Sequence, residues 1–241
     1  MRAFGKSDIG KARDMNQDSF YISSPEDKIQ LFIVADGMGG YKGGEIASKL
    51  AVETSKNYIK NNFDLIEHNR ESILNLIKSA IEYANMVIYE KSREIPELEN
   101  MGTTIDICLI IQNKVYIGHV GDSRVYRKRN QFFRRLTTDH SYVQKLVSDG
   151  TITKEEAYHH PKKNMLIKAL GCATYVEPDV MVKGFLKDDI LLMCSDGLTN
   201  MLRDEKIVEI INENPIVACD RLINEANENG GLDNITAVII L

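Results

Sequence analysis

Four aspartates stand where short apolar runs begin or end. Asp36 follows "LFIVA", Asp122 follows "VYIGHVG", Asp196 follows "ILLMCS", and Asp233 lies just before "ITAVII". Each one alone could be an ordinary turn or helix-cap residue, because aspartate is common at both positions. If the sheets bring these strand ends together, however, the four carboxylates meet at one rim of the molecule.

Carboxylates that meet in this way repel one another unless a positive charge neutralises them. The set contains no cysteine or histidine, which disfavours zinc, whereas ligands that are all oxygen suit Mg²⁺ or Mn²⁺. Glycines follow Asp36 and Asp196 and would let backbone carbonyls and waters approach an ion closely. Two such ions would activate a water and attract a phosphate group. The shared pattern favours this metal interpretation over four separate turns.

The composition limits the classes of function. The chain has 241 residues, 43% hydrophobic and 27% charged, which is typical of a soluble globular protein. Its net charge of -5 argues against a nucleic-acid binder, which needs a basic surface. The four cysteines are scattered, and the sequence shows no signal peptide and no apolar run near the roughly 18 residues of a membrane helix. We therefore expect a cytoplasmic protein with buried free thiols and no membrane segment.

Two helical patterns occupy residues 44–63 and 71–93. The second is the clearer, with an apolar stripe at three- and four-residue steps that predicts core packing. Two further helices are predicted at 204–214 and 216–228.

Strand patterns are short, apolar or β-branched, and separated by turn residues. They are "IQLFIVAD", "TTIDICLIIQ", "KVYIGHVGD", "SRVYRKR", "FFRRLT", "DVMVKGFL", "DDILLMCSD" and "ITAVIIL". Three of them follow one another with tight connections, which predicts antiparallel hairpins. Because strands and helices occur in blocks, the predicted class is α+β with helices packed on antiparallel sheets. We expect one domain, with a less regular segment at 139–161 that is either a binding flap or a surface excursion.

Eight stretches of the sequence, in order, resemble one family. They are "GKARDMNQDSF", "VADGMGG", "MGTTI", "GHVGDSRVY", "LTTDHS", "GTITKEEAYHHPKKNMLIKALG", "LLMCSDGL" and "DNITAVII". The chain resembles a bacterial member of the protein phosphatase 2C family, the metal-dependent serine/threonine phosphatases. This resemblance covers essentially the whole chain. It implies two antiparallel β-sheets packed as a central sandwich, with α-helices on both outer faces.

The resemblance also implies a set of metal ligands. Asp36 would bridge two Mn²⁺ or Mg²⁺ ions, with the carbonyl oxygen of Gly37 as a further ligand. Asp196 and Asp233 would complete one of the two sites. Asp122 would join Asp196 at a third, weaker metal site.

Other residues would act on substrate and water. By resemblance, Asp18 would hold a metal-bound water without touching the ion, and Arg13 would clamp the substrate phosphate, a bidentate task suited to a guanidinium. A metal-bridging water would attack phosphorus directly, with no covalent phosphoenzyme. The proton donor to the leaving group is open, because the chain has Met38 and Tyr41 where relatives often have histidine.

The histidines of the chain suggest one candidate for that donor. His160, in the flap-like segment beside His159, is the candidate for a catalytic role near the leaving group, and a metal-bound water is the alternative. His68 is expected to be exposed and His119 to be a satisfied core residue. For His140 we expect a structural hydrogen bond.

The expected substrates are proteins that carry phosphoserine or phosphothreonine. The resemblance suggests that the enzyme opposes a membrane-bound serine/threonine kinase, or acts on antagonists of anti-sigma factors. Two alternatives are a metal-dependent phosphohydrolase of a small phosphate ester or nucleotide, and a non-catalytic regulator that binds phosphoproteins. A monomer is the default expectation.

Overall fold

The computed structural model describes residues 1–40 and 42–241. Within these residues the chain forms eleven strands and seven helices. The strands are β1 (Ala3–Asp8), β2 (Asp18–Ile22), β3 (Gln30–Met38), β4 (Gly102–Thr103), β5 (Ile105–Ile111), β6 (Lys114–Val120), β7 (Arg124–Arg129), β8 (Phe132–Arg135), β9 (Asp179–Gly184), β10 (Ile190–Cys194) and β11 (Ile235–Ile240). The helices are α1 (Gly43–Asn62), α2 (Arg70–Glu94), α3 (Tyr142–Ser148), α4 (Lys154–His159), α5 (Asp196–Thr199), α6 (Asp204–Glu213) and α7 (Ala218–Glu228).

The strands form two sheets in which the named pairings are antiparallel. Sheet A has the order β1-β11-β10-β7-β8. Sheet B has the order β2-β3-β5-β6-β9, and β4 pairs with the end of β3. The predicted α+β class is confirmed.

Alternation along the strands separates the inside of the sandwich from its outer faces. In β3, Phe32 and Val34 pack between the sheets in one apolar cluster with Met193 of β10. Leu31 and Ile33, one residue out of phase, pack with the helices that cover sheet B. Such a period of two is what a strand buried on both faces requires. Each of these fully buried side chains contributes about 1.5–3 kcal/mol relative to an exposed one.

Helices cover both outer faces, as the resemblance implied. On sheet B, α1 and α2 supply the stripe that the sequence predicted, with Ile73, Ile77 and Ile81 fully buried. Asn69 caps α2 by accepting a hydrogen bond from Ser72 N at 2.9 Å, which satisfies a free donor of the first turn. On sheet A, the apolar faces of α6 and α7 pack against β10 and β11.

One of the tight connections is not the hairpin that the sequence predicted. β5–β6 and β7–β8 are hairpins, but β6 belongs to sheet B and β7 to sheet A, so the chain crosses between the sheets at residues 121–123. Gly121 makes the crossing with φ +114°, a conformation that side chains disfavour, and a Cβ there would lie 2.5 Å from Thr104 Cγ2. Asp122 therefore lies where the two sheets meet.

The segment 139–161 contains two short helices joined by turns. Ser141 caps α3 by accepting from Gln144 N, and Thr153 and Glu156 form a capping box at the start of α4. The cysteines are free, and three are buried, whereas Cys172 is exposed, contrary to the expected burial. In the part of the chain that is described, no helix combines the length and apolarity needed to cross a membrane.

Candidate active site

Five aspartates from both sheets gather at one edge of the sandwich. Asp18 begins β2 and lies opposite Asp36 in the register of β2 with β3. Asp196 follows β10 as the first residue of α5, Asp233 lies two residues before β11, and Asp122 lies in the crossing from β6 to β7. β3 continues through Asp36 to Met38, so Asp36 stands within its strand and not, as its sequence suggested, at the end.

Burial and crowding raise the pKa values of Asp18, Asp36, Asp122 and Asp196. Burial, and then the charges of the other four aspartates, hold the pKa of Asp36 well above its usual value. Burial and the Asp196 charge do the same for the pKa of Asp122. The pKa of Asp196 rises to about 6 through burial and the charge of Asp233, against hydrogen bonding from Asp36 and Asn200. The cluster is therefore poised to accept positive charge.

These carboxyls are deep in the protein but not sealed from solvent. Asp36, Asp122, Asp196 and Asp233 remain half-buried, so one side of each can be reached from outside. Asp18 differs, because only 8% of its surface is exposed. The four half-buried acids thus suit direct contact with an ion, and Asp18 suits a role behind them.

Asp18 has one oxygen held and one oxygen free. Its Oδ2 accepts hydrogen bonds from Ser195 Oγ at 2.7 Å and from Thr236 Oγ1 at 2.6 Å. Its Oδ1 is buried and has no partner among the described residues. Burial raises the pKa of Asp18 to about 7, against these two hydrogen bonds. A buried acceptor without a donor is costly, and the water of a hydrated cation would satisfy it.

Gly37 lies where backbone segments approach one another closely. A Cβ on Gly37 would lie 2.1 Å from the carbonyl oxygen of Gly44 and 2.6 Å from that of Gln17. Both obstacles are backbone atoms, which cannot rotate away. The first turn of α1 therefore packs directly on the strand residue that follows Asp36.

We expect Gly37→Ala to destabilise the protein by about 3 kcal/mol, because overpacking against backbone forces the strand and α1 apart. Thermal unfolding would measure this loss. Gly40→Ala is the matched control, since a Cβ at Gly40 meets nothing within 4 Å. Equal melting temperatures for the two variants would contradict the packing argument.

The donor set fits a hard divalent ion that keeps its waters. Within residues 1–40 and 42–241, no group of three or more His, Cys, Asp or Glu side chains is arranged to hold an ion directly. Mg²⁺ and Mn²⁺ can bind some of their ligands through water, so the carboxylates need not all contact an ion directly. The partnerless Asp18 Oδ1, the close approach at Gly37 and the raised pKa values are consistent with such ions.

Arg13 lies at the rim of the aspartate cluster. Its Nη2 donates to Asp233 Oδ2 at 2.8 Å, and about half of its side chain, 51%, is exposed. Hydrogen bonding to Asp233, together with the charges of Asp233, Asp196 and Asp36, raises the pKa of Arg13. The guanidinium is thus next to the carboxylates and open to solvent, where an incoming phosphate would arrive.

His160 is not brought to the aspartates by any contact that the structure describes. Its Nδ1 accepts from Lys162 N at 3.0 Å, and its ring centroid is 6.1 Å from that of Tyr142. It does not line the cavity that contains Asp122 and Asp196. Its role as proton donor therefore stays a prediction without structural support, and Tyr41 lies outside the described residues.

Two other histidines have the structural roles expected of them. His119 is buried, with Nδ1 2.7 Å from Asp106 Oδ1 and Nε2 3.0 Å from the carbonyl oxygen of Thr138. His140 Nδ1 accepts from Gly121 N at 3.2 Å, and its own backbone N–H donates to the Gly121 carbonyl at 2.7 Å. His140 therefore holds the turn that carries Asp122. His68 is exposed, as expected.

Several neutral residues that support the aspartates were not singled out from the sequence. Thr104 Oγ1 accepts from Asp36 N at 2.9 Å, and Asn200 Nδ2 donates to Asp196 Oδ2 at 3.0 Å. Asn234 bonds three backbone groups between residues 9 and 17, which places the segment that carries Arg13. Asn200 and Asn234 could have been found by their proximity to the acids in "SDGLTN" and "DNIT", whereas Thr104 is distant in sequence from Asp36 and has no such signal.

Comparison with known proteins gives one consistent family. A family model described as protein phosphatase 2C matches residues 5–217. The serine/threonine phosphatase stp of Listeria innocua is 38% identical over 242 aligned residues, with 100% of this chain and 95% of that protein covered. Protein phosphatase PhpP of Streptococcus pneumoniae is 34% identical, with 97% of this chain and 94% of that protein covered.

Solved structures agree in fold. The Mycobacterium tuberculosis serine/threonine phosphatase PstP/Ppp superposes with a TM-score of 0.87 at 34% identity, covering 99% of this chain and 97% of that one. The catalytic domain of the serine/threonine protein phosphatase PstP in complex with two manganese ions gives 0.86 at 33% identity, with 99% and 96% covered. With the sandwich and the family model agreeing over most of its length, the chain belongs to the protein phosphatase 2C family.

Proposed function

We propose that this protein is a metal-dependent protein phosphatase that hydrolyses phosphoserine and phosphothreonine on other proteins. The observation that carries the proposal is the gathering of five aspartates from both sheets beside an exposed arginine. Relatives named as serine/threonine phosphatases, similar over nearly their whole length, support the substrate class.

The residues that would hold two Mn²⁺ or Mg²⁺ ions are Asp36, Asp196 and Asp233, with the carbonyl oxygen of Gly37. A relative solved with two manganese ions supports a dinuclear site. Asp122 with Asp196 would hold a third ion, which the effect of the Asp196 charge on the pKa of Asp122 supports. When bound, such ions supply an activated water and positive charge for the phosphate.

The chain's own groups bind and orient the substrate. Arg13 would bind the phosphate oxygens through two parallel hydrogen bonds, and for this its guanidinium must leave Asp233. A cation held by Asp233 would weaken that ion pair, so that the Arg13 guanidinium could turn to the phosphate. Asp18, fixed through Oδ2 by Ser195 and Thr236, would present Oδ1 as the acceptor that orients a water.

The proposal extends to the organisation and setting of the protein. Residues 1–241 form a single catalytic domain, which the near-complete coverage of the relatives supports. The segment 139–161 acts as a flap over the substrate, since several of its residues line a cavity shared with Asp122 and Asp196. The enzyme works as a monomer in the cytoplasm on phosphoproteins and opposes a serine/threonine kinase.

Phosphate release from a phosphothreonine peptide tests the proposal. We expect release with Mn²⁺ and none with EDTA. A small phosphate ester and a nucleotide are assayed in parallel with the same preparation. Hydrolysis of either of these without release from the peptide would overturn the substrate class, and absence of hydrolysis from folded, Mn²⁺-supplied protein would overturn the enzyme assignment.

A further inference from the structure

A cavity of about 660 Å³ extends from the aspartate cluster. Asp122 and Asp196 line one part of it, and the other walls come from β8, from α3 and α4, and from the start of α6. This volume lies within the usual range of ligand sites, about 300–1,000 Å³. If the phosphate of a bound phosphoprotein reached the aspartates, the residues on either side of the phosphorylated residue would lie in or near this cavity.

Three cations that line the cavity have no carboxylate partner among the described residues. Other lining cations are paired, because Arg124 and Arg135 both bond Asp139. The unpaired cations are Arg134, Lys154 and Lys163. We call the cavity together with these three side chains the cationic groove.

Aromatic rings hold two of the three cations near the cavity without neutralising them. Lys163 Nζ lies 5.4 Å from the centre of the Tyr158 ring, and the Arg134 guanidinium lies 5.9 Å from that of Phe132. Arg134 and Lys154 are exposed and Lys163 is half-buried, so all three can meet a ligand.

The acidic groups that line the cavity do not cancel these charges. Asp139 is already paired with two arginines, and Asp122 and Asp196 are assigned to metal. Asp204 and Glu205 lie in the first turn of α6, where the helix N-terminus offsets negative charge. Asp204 also accepts from Tyr126 Oη at 3.1 Å.

One wall of the cationic groove is held firmly on the body of the protein. Tyr158 Oη donates to the carbonyl oxygen of Asn200 at 3.1 Å. Arg203 donates to both oxygens of Glu155 at 2.8 and 2.9 Å, and its guanidinium lies 3.9 Å from the centre of the Tyr158 ring. These contacts fix α4, so the groove exists before a ligand enters.

We propose that the cationic groove selects phosphopeptides that carry acidic residues near the phosphorylated residue, and that Arg134, Lys154 and Lys163 are specificity-determining residues. This inference rests on the proposed phosphatase function and adds a substrate class to it. Charge complementarity carries the argument, since three unpaired cations border a cavity that is continuous with the aspartate cluster.

Three phosphothreonine peptides test this inference with Mn²⁺-supplied enzyme. They share a length and carry glutamate, alanine or lysine on both sides of the phosphothreonine. We expect kcat/KM for the glutamate peptide to exceed that for the alanine peptide roughly tenfold at low salt, since exposed ion pairs are individually weak but three act together. Added KCl should reduce the ratio, because these charges are screened.

Two sets of variants distinguish an effect of the cationic groove from an effect of the protein's net charge. Combining Arg134→Gln, Lys154→Gln and Lys163→Gln should bring the glutamate-to-alanine ratio to within twofold of one, whereas the triple change to glutamate should favour the lysine peptide. The matched control combines three glutamine substitutions at lysines that do not line the cavity and form no ion pair in the described part of the chain: Lys128, Lys183 and Lys187. This control loses the same formal charge and should keep the wild-type ratio.

The contrary outcomes distinguish failure of the groove's proposed role from failure of the proposed phosphatase function. Equal hydrolysis of the glutamate and alanine peptides by wild type would overturn the groove's role and leave the phosphatase function standing. The groove's role is overturned in the same way if the groove variant keeps the preference, or if the control loses it equally. Failure of wild type to hydrolyse every peptide would overturn both proposals. Thermal unfolding verifies that each variant is folded, and the reversed preference of the glutamate variant is a gain that misfolding cannot produce.

Discussion

Asp36→Asn should reduce Mn²⁺-dependent phosphate release about a thousandfold or more, while it raises the melting temperature of the EDTA-treated protein at pH 8. A thousandfold loss corresponds to about 4 kcal/mol of transition-state stabilisation, a reasonable amount for removing a metal ligand. The stability gain has the opposite sign because the charges of the other four aspartates act on Asp36. A neutral amide removes that repulsion and the cost of burying a charge.

The opposite signs distinguish a metal ligand from a residue that merely supports the fold. The measurements are steady-state release from a phosphothreonine peptide and thermal unfolding in EDTA. Asp188→Asn, at an exposed aspartate, serves as the control and should change neither quantity. If Asp36→Asn lowered the melting temperature in EDTA along with the activity, the loss of activity would be explained by damage to the fold.

The metal-free protein should lose stability as the pH rises from 6 to 8. The pKa of Asp18 is about 7 and that of Asp196 about 6 in the folded chain, against 3.8 for an unperturbed aspartate. Above about pH 4 these carboxyls are ionised in the unfolded chain but still protonated in the folded chain. Folding therefore requires proton uptake, which costs more free energy as the pH rises. The penalty grows until the pH passes the folded pKa values and is constant above them. We expect a fall in melting temperature of roughly 5 °C in this interval.

Saturating Mn²⁺ should remove this fall, because bound cations stabilise the ionised carboxylates. The stabilisation by Mn²⁺ should therefore be larger at pH 8 than at pH 6. His119, whose pKa is raised by the charge of Asp106 against the effect of burial, also loses stabilisation as the pH rises, but equally with and without metal. The difference between the two melting curves isolates the aspartates. A pH dependence that Mn²⁺ leaves unchanged would show that the cluster does not titrate as described.

Elements with a strong hydrophobic period were predictable from the sequence, whereas elements that depend on pairing with residues distant in sequence were not. The apolar stripe predicted a helix at 71–93, and α2 spans Arg70–Glu94. β1 and β2 were not predicted, because their side chains are mostly half-buried and carry little apolar pattern. The crossing at Gly121 resembles a hairpin in the sequence, since a short connection has the same length whether or not the strands it joins share a sheet.

The site shows the same division between local and distant information. The shared pattern around Asp36, Asp122, Asp196 and Asp233 can be read locally, because each acid lies beside its own apolar strand. The hydrogen bonds that Ser195 and Thr236 donate to Asp18 cannot be predicted in this way. Those two residues are distant from Asp18 in sequence, and serine and threonine have many ordinary roles. His160 depends on where α4 packs, which no local pattern specifies.

The position of β11 between β1 and β10 has a consequence for the order in which the molecule folds. Sheet B uses strands from Asp18 to Gly184, whereas sheet A must pair Ala3 with Ile240, nearly the whole chain apart. Contacts between such distant residues form slowly, because a long loop must close first. We therefore expect the pairing of β1 with β11, which brings the segment that carries Arg13 to Asp233, to form last, after sheet B has placed Asp18 and Asp36. During refolding, secondary structure should return well before phosphatase activity, and the enzyme should become competent only when its last sheet closes.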